Sequence, residues 1–360
     1  LLTFLHQPRF GLDSSRGSVF PGINQLLPGE YLTVDIESLE LKIERYWSPA
    51  INMEYAKLKM DDAVFCFRDL LSDSVKIRMR SDVSLGSCLS GGLDSSSIVC
   101  LNRNVLGDES EYHVFTGRFP GTPSDEWRFA EPVITQNRLQ SHVVEPLATS
   151  FLEELPNFMW HNELPVGSTS QYAQWCIFRL AKHNNVTVLL DGQGADELLG
   201  GYEQYFQAYL SARRALGEYS PEEENAIRSR YPRAHLTFAQ SVLSSLPLGV
   251  RHRLANFLNK GSDFRFGLSR DAVHRIIKSD NLVVPGVSML NDSLREDTFF
   301  AHLPTLLRYG DRNSMAHSRE VRLPFCDYRI AEFSLSLAPK ILMGDAQTKR
   351  VLREAMKGIL

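Results

Sequence analysis

The chain of 360 residues lacks several features whose absence narrows what it can do. No apolar run approaches the ~18 residues that a membrane-crossing helix needs. The opening "LLTFLHQPRF" has neither a charged leader nor a small-residue cleavage site, so it does not read as a secretory signal. A dominant charge is missing as well: 39 Lys and Arg against 43 Asp and Glu leave a net charge of −4. Binding carried by nucleic-acid phosphates is therefore not expected, and the basic clusters "RSRYPR" and "RHR" read as solvated helix faces. Cysteine is scarce and odd in number, at 66, 88, 100, 176 and 326, with no C-x-x-C. That spacing argues against a disulfide framework or a thiolate metal site and predicts reduced, buried thiols in a cytoplasmic protein. No internal repeat and no low-complexity segment is found. Both ends read as cut, because Leu1 stands where Met would be and "VLREAMKGIL" is an amphipathic pattern with no stop signal. A piece of a longer protein is expected.

What is present is an ordinary globular composition, 43% hydrophobic and 23% charged, sized for roughly two domains. Residues 29–47, "GEYLTVDIESLELKIERYW", alternate apolar and polar positions and predict a hairpin. Two strands alone are marginal, so residues 1–48 are expected to be the tail of a larger all-β or α+β domain, with 49–60 as linker. From residue 61 the pattern changes. "DDAVFCFRDLLSDSVKIRM" has helical spacing, with Ala63, Phe67, Leu70 and Leu71 on one face. Four short apolar runs follow, Val83–Leu89, His113–Phe119, His142–Val144 and Val186–Leu190. Helical patterns separate them at Ser95–Asn102, Asp125–Asn137 (weakened by Pro132) and Ser170–Lys182. Such alternation predicts an open, doubly wound parallel α/β sheet. Residues 203–360 read as mostly helical, with breaks at Pro221, Pro232, Pro247, Pro285, Pro304, Pro324 and Pro339.

Two loops carry the chemistry. "CLSGGLDSSSIV" passes from the first strand through glycines into a helix. Gly91 and Gly92 let an anion approach backbone N–H groups, the helix N-terminus adds partial positive charge, and Ser90, Ser95 and Ser96 add hydroxyls. Neither G-x-x-x-x-G-K-[ST] nor G-x-G-x-x-G is present, so this is neither a Walker loop nor a dinucleotide fingerprint. Asp94 would repel phosphates unless it holds Mg²⁺ against them. The second loop, "LLDGQGADELLGGY", follows the fourth strand. In the commonest nucleotide-binding order that strand lies beside the first, and both loops then face one crevice. Asp191 and Asp196 opposite Asp94 suggest a metal bridging phosphates. Taken singly, each loop is also explained by a glycine turn before a helix start that favours acidic residues.

The Ser-Gly-Gly-x-Asp-Ser loop resembles the pyrophosphate loop of the ATP pyrophosphatase superfamily. The two loops above, with "YGDRNSMAHSREVRLPFCDYRIAEF" and "TKRVLREAMKGIL", resemble the synthetase domain of glutamine-hydrolysing asparagine synthetases. "PGINQLLPGEYLTVD" with "RYW" is similar to the end of that family's glutaminase domain. The resemblance implies an adenine-nucleotide-hydrolase-like sheet in residues 61–360 and a glutaminase remnant in 1–48. It implies that Ser90, Gly91, Gly92 and Ser95 cradle pyrophosphate, that Asp94 and Asp196 hold Mg²⁺, and that Leu89, Asp191 and Gly192 line the AMP site. Lys349, in "TKRVLRE", matches a lysine that stabilises phosphate charge as the α–β bond breaks; without the resemblance it reads as a surface residue of a last helix. Glu320 and Arg322 read as a structural or substrate-side pair.

Two departures stand out. The resembling synthetases usually carry Ser-Gly-Glu-Gly where this chain has Asp191-Gly192-Gln193-Gly194, and that glutamate is tied to carboxyl activation and the ammonia step. An N-terminal cysteine nucleophile for glutamine hydrolysis is also absent from these residues. The implied reaction uses ATP to adenylate aspartate and then ammonia, or glutamine-derived ammonia, to make asparagine. The partners are small molecules, with neither nucleic acid nor membrane, and a homodimer is allowed. Gln193 favours a rival acceptor: a lactam precursor, a peptide, a sugar or a cell-surface polymer. A nucleotide-binding regulatory protein with a degenerate site is the third reading, opposed by the presence of Asp94, Asp196 and Lys349.

Overall fold

Between residues 60 and 200 the alternating apolar runs and amphipathic segments become alternating strands and helices in the computed structural model, which describes residues 12–13, 15–107, 110–234 and 290–360. The elements there are α1 (Met60–Arg78), β3 (Leu85–Cys88), α2 (Leu93–Leu106), β4 (His113–Gly117), α3 (Trp127–Gln136), β5 (Gln140–Val144), α4 (Ala148–Asn162), α5 (Ser170–His183) and β6 (Val188–Leu190). The hairpin β1 (Glu30–Val34) and β2 (Leu41–Arg45) precedes them. After β6 come α6 (Ala195–Leu199), α7 (Tyr205–Ala215), α8 (Pro221–Arg230), α9 (Leu290–Phe299), α10 (His302–Met315), β7 (Glu320–Arg322), α11 (Tyr328–Ser336), α12 (Pro339–Met343) and α13 (Arg350–Ala355).

Contacts divide the chain into two units. One comprises Lys59–Ala195, Leu306–Ala331 and Val351–Leu360; the other comprises Leu1–Leu58, Asp196–Thr305 and Glu332–Arg350.

The first unit holds a five-stranded, all-parallel sheet in the order β5-β4-β3-β6-β7. Strands are added outward from β3 to β5, and the chain then returns to the other side of β3, where Leu85, Gly86 and Ser87 pair with Val188, Leu189 and Leu190. The order reverses between β3 and β6, which opens a crevice beyond their carboxyl ends. Helices on the sheet bury it, so β6 is buried throughout and reads as an unbroken apolar run. Cys88, Phe115, Phe178, Ala181, Val186 and Leu189 form one core cluster; Phe158, Tyr172, Trp175 and Cys176 form a second. Helix α1 buries Ala63, Phe67, Leu71 and Val75, one residue per turn on one face.

The second unit contains the antiparallel hairpin, with Glu30 opposite Arg45 and Val34 opposite Leu41. Glu30 collects Arg16 at 2.7 Å, Arg45 at 3.2 Å and the Leu27 N–H at 3.0 Å. Helix α7 buries Phe206, Tyr209 and Leu210, and its Tyr205 hydroxyl donates to Asp297 of α9 at 2.7 Å.

The doubly wound sheet and the helical C-terminal part agree with the sequence reading, and the structure adds to it. A fifth strand, β7, comes from the "SREVRLPF" segment, and α4 forms despite Pro156. Helix α3 runs through Pro132 but starts at Trp127, because Asp125 turns aside to bind Arg118 at 2.8 Å. Strand β5 begins at Gln140, two residues before the expected start. Pro304 does not break a helix. It sits in the first turn of α10, where its missing N–H has no helical partner to lose. Pro221 and Pro339 open α8 and α12. The breaks expected at Pro247 and Pro285 lie outside the described residues.

Candidate active site

In the α/β unit, the loop after β3 is tightly determined. The Leu89 N–H donates to the Phe115 carbonyl at 2.9 Å, and the Leu89 carbonyl accepts from the Thr116 hydroxyl at 2.7 Å, which ties the loop's start to β4. Gly91 has φ +93°, and a Cβ on it would lie 2.7 Å from the Glu126 carbonyl and 2.8 Å from the Ala130 nitrogen. Only glycine allows α3 to pack this closely against the loop. The Ser95 hydroxyl accepts from the Ser90 N–H at 3.2 Å and donates to the Gly92 carbonyl at 3.2 Å. The Ser90 hydroxyl accepts from the Gly92 N–H at 3.1 Å. The two serines thus shape the loop's own backbone. Asp94 stands in the first turn of α2, and Ser96 is buried within that helix.

The loop after β6 meets this cradle directly. A Cβ on Gly192 would lie 3.0 Å from both Asp94 Cβ and the Ser95 nitrogen, so the two backbones approach as closely as a glycine permits. The structure therefore brings Leu89, Ser90, Gly91, Gly92, Asp94 and Ser95 together with Asp191, Gly192 and Gln193 at the point where strand order reverses. Burial raises the Asp191 carboxyl, opposed by the Gly192 N–H at 2.6 Å and by the Gln174 side chain. Burial, then the Asp191 charge, pushes the Cys88 thiol up. The Gln193 carbonyl accepts from the Cys326 thiol at 3.7 Å.

The other unit holds Asp196 and Lys349. The Lys349 ammonium lies 2.7 Å from Asp196 Oδ1. Lys349 has a left-handed backbone, φ +50°, which a side-chain-bearing residue keeps only when its surroundings impose it. Beside this pair, Glu197 is 1% exposed, and burial pushes it up to about 7 against a hydrogen bond from Tyr202.

Several residues here carried no signal of their own in the sequence. Thr116, Glu126 and Gln174 stand in no motif, Glu197 and Cys326 stand inside quoted stretches without an assigned role, and only the folded chain shows their surroundings. Glu320 and Arg322 pair on β7, 2.6 Å apart, and Arg322 also donates to the carbonyls of Arg78 at 2.7 Å and Arg80 at 2.6 Å. All five cysteines are free, three buried and Cys66 and Cys326 half-buried. Among the described residues, no helix is long and apolar enough to cross a membrane, and no group of three or more His, Cys, Asp or Glu could by itself hold a metal ion.

The asparagine synthase family model matches residues 66–360. Asparagine synthetase (glutamine-hydrolyzing) 2 of Bacillus subtilis is 26% identical over 358 residues, 94% of this chain and 43% of its own length. The amidase chry2 of Gibberella zeae is 23% identical over 385 residues, 94% of this chain and 56% of its own. The chain spans about half the length of these curated relatives. Among solved structures, the NH3-dependent NAD synthetase of Campylobacter jejuni aligns at 15% identity with a TM-score of 0.29, over 57% of this chain and 96% of that one. With the matched model running through both loops and on to the last residue, the chain belongs to the asparagine synthase family.

Proposed function

We propose that the chain is the synthetase part of an ATP-dependent amide-forming ligase that adenylates the side-chain carboxylate of aspartate. One carboxylate oxygen attacks the α-phosphorus and pyrophosphate leaves. Ammonia then attacks the acyl carbon, AMP departs with the C–O bonding pair, and a proton is lost to give the amide. The observation that carries this reading is the contact of the two glycine loops where β3 and β6 reverse the strand order. Backbone N–H groups of Gly91 and Gly92 and the start of α2 suit a pyrophosphate. Leu89, Asp191 and Gly192 would line the AMP side.

The donor chemistry fits Mg²⁺, which takes one or two carboxylates and completes its shell with phosphate oxygens and water, so a larger protein cluster is not required. Asp94 and Asp196 would hold it, and its charge would screen the phosphates. Lys349 would place a fixed cation for the charge that develops on the leaving pyrophosphate. Gln193 would hydrogen-bond near the acyl group. Glutamine as ammonia source, a cytoplasmic location and a homodimer belong to the same reading.

A second reading keeps adenylation and changes the acid. It is favoured by Asp191 and Gln193, which alter the charge around the acceptor, and by the similarity to a protein called an amidase. Pyrophosphate release measured with a panel of carboxylates at saturating ammonia separates the two. A response to aspartate alone supports the first, a response to another acid supports the second, and silence with every acid removes both.

A further inference from the structure

Within the α/β unit, the strand that closes the sheet also builds the back of the second glycine loop. The Asp191 N–H donates to the Arg322 carbonyl at 3.0 Å, which carries the β6–β7 pairing one residue past β6. The chain then turns at Pro324–Cys326, where the Cys326 N–H donates to the Leu323 carbonyl at 3.1 Å. This turn is clamped to α1. The Pro324 carbonyl accepts from the buried Ser74 hydroxyl at 2.7 Å, Asp327 accepts from Arg78 at 3.1 Å, and Phe325 is fully buried. Arg329 binds both Asp327, at 2.9 Å, and Asp73 of α1, at 2.6 Å.

The Gln193–Gly194 peptide lies against this fixed turn. The Cys326 thiol donates to the Gln193 carbonyl at 3.7 Å, a long, weak bond of the kind sulfur makes. A Cβ on Gly194 would lie 2.7 Å from Cys326 Sγ, with the Phe325 Cβ and the Cys326 nitrogen behind it at 3.7 and 3.8 Å. Gly194 has φ +95°, so glycine supplies both the bend and the room for sulfur. Two successive residues of the loop therefore rest on one atom of the turn.

We infer that Cys326 is a positioning residue for the acceptor side of the site: its sulfur, carried on the clamped turn after β7, sets where the Gln193–Gly194 peptide stands and hence where the Gln193 side chain reaches. The inference rests on the proposed ligase reaction, in which Gln193 hydrogen-bonds near the acyl group. The nucleotide loop has supports of its own, Leu89 on β4 and Gly91 under α3, so the sulfur acts on the acceptor side alone.

The test is a double-mutant cycle on the whole chain with two readouts. Calorimetry reads the binding of Mg²⁺ with α,β-methylene-ATP, and AMP formation from ATP, aspartate and saturating ammonia gives kcat/KM for the acid. Cys326→Ala should lower that kcat/KM about tenfold, less than the roughly hundredfold that ~1 Å of misplacement costs, and leave nucleotide affinity within about twofold. In a Gln193→Ala background, where no amide is left to position, the same change should cost no more than about twofold. Cys326→Ser should repeat the alanine result, because a hydroxyl must come within about 2.8 Å of the carbonyl to bond and its oxygen stands nearer its own Cβ than sulfur does. The serine variant also replaces alanine if the latter melts too early to assay. Equal losses in both backgrounds, or nucleotide affinity falling in step with kcat/KM, would mean that Cys326 only supports packing and would overturn the inference. So would an unchanged kcat/KM. If another acid of the panel responds in place of aspartate, that acid is the one assayed. Silence of the unmodified protein with every acid would remove the ligase reading itself, and the positioning role with it.

Discussion

Changing Lys349 to alanine and to glycine separates what its charge does from what its backbone costs. Its ammonium pairs with Asp196 at 2.7 Å, with the two side chains 11% and 33% exposed. Solvent reaches the carboxylate, so the pair contributes about 1 kcal/mol. The φ of +50° costs a side-chain-bearing residue about 1–2 kcal/mol and costs glycine almost nothing. Glycine also loses about 0.5–1 kcal/mol more chain entropy on folding. Lys349→Gly should therefore be more stable than Lys349→Ala by about 0.5–1 kcal/mol. Both should lose about 10²–10³-fold in AMP formation, the scale of one preorganised charge contact. Urea midpoints give the stabilities and single-turnover AMP release gives the rates. An alanine variant as stable as the glycine variant would show that the backbone is unstrained. AMP formation surviving in either would show that Lys349 does not meet the phosphates.

Asp94→Asn should lower pyrophosphate release by about 100-fold while leaving the melting temperature nearly unchanged, because a loop carboxylate adds little to a core; near-normal turnover in a folded variant rules out the metal role. Gly192→Ala introduces a methyl 3.0 Å from Asp94 Cβ and the Ser95 nitrogen, and overpacking of this kind costs about 1–3 kcal/mol. Nucleotide affinity should fall with stability, and a variant with unaltered affinity would separate the two loops functionally. Burial works against the Asp327 charge, but hydrogen bonds from the Arg329 side chain and N–H and from Arg78 outweigh it and hold the carboxyl at about 2. A depressed carboxylate stabilises above its unfolded pKa. About 2 kcal/mol should thus be lost as pH falls from about 4 to 2, and Asp327→Asn should flatten urea midpoints over that window. Burial against Trp175, with Arg179 and Lys182 nearby, pushes His317 down to about 4. The unfolded chain takes up that proton first, so a separate loss should run from about pH 6.5 to 4 and vanish in His317→Phe.

The parts legible in the sequence are those where one physical requirement dominates. Buried parallel strands must be continuously apolar, which marks Val188–Leu190, and a loop packed tightly under a helix with positive φ must use glycine, which marks Gly91. Strand β7 escaped notice because "EVR" is short and polar; its place in the sheet comes from pairing with β6, which no local pattern announces. Helix α4 was hidden by Pro156, since a proline penalty is read locally whereas the aromatic packing of Phe158, Tyr172 and Trp175 that offsets it is tertiary. The same holds at the site. Asp94 and Asp191 stand in motifs, but Gln174 is an ordinary helix residue until folding brings its amide to Asn313.

The placement of β7 also has a consequence for biosynthesis. More than a hundred residues separate Val188 from its partner Glu320. Until that distant segment leaves the ribosome, the open side of β6 presents unpaired N–H and C=O groups next to the "DGQG" loop. At ~5–20 residues per second the delay is on the order of ten seconds, far longer than ~1–10 μs for hairpin closure. During that interval the nascent sheet is an edge seeking a strand, and any extended chain nearby competes for it. A helper that shields β6 while residues 191–319 emerge would therefore raise the yield of folded protein more than one acting on the finished polypeptide.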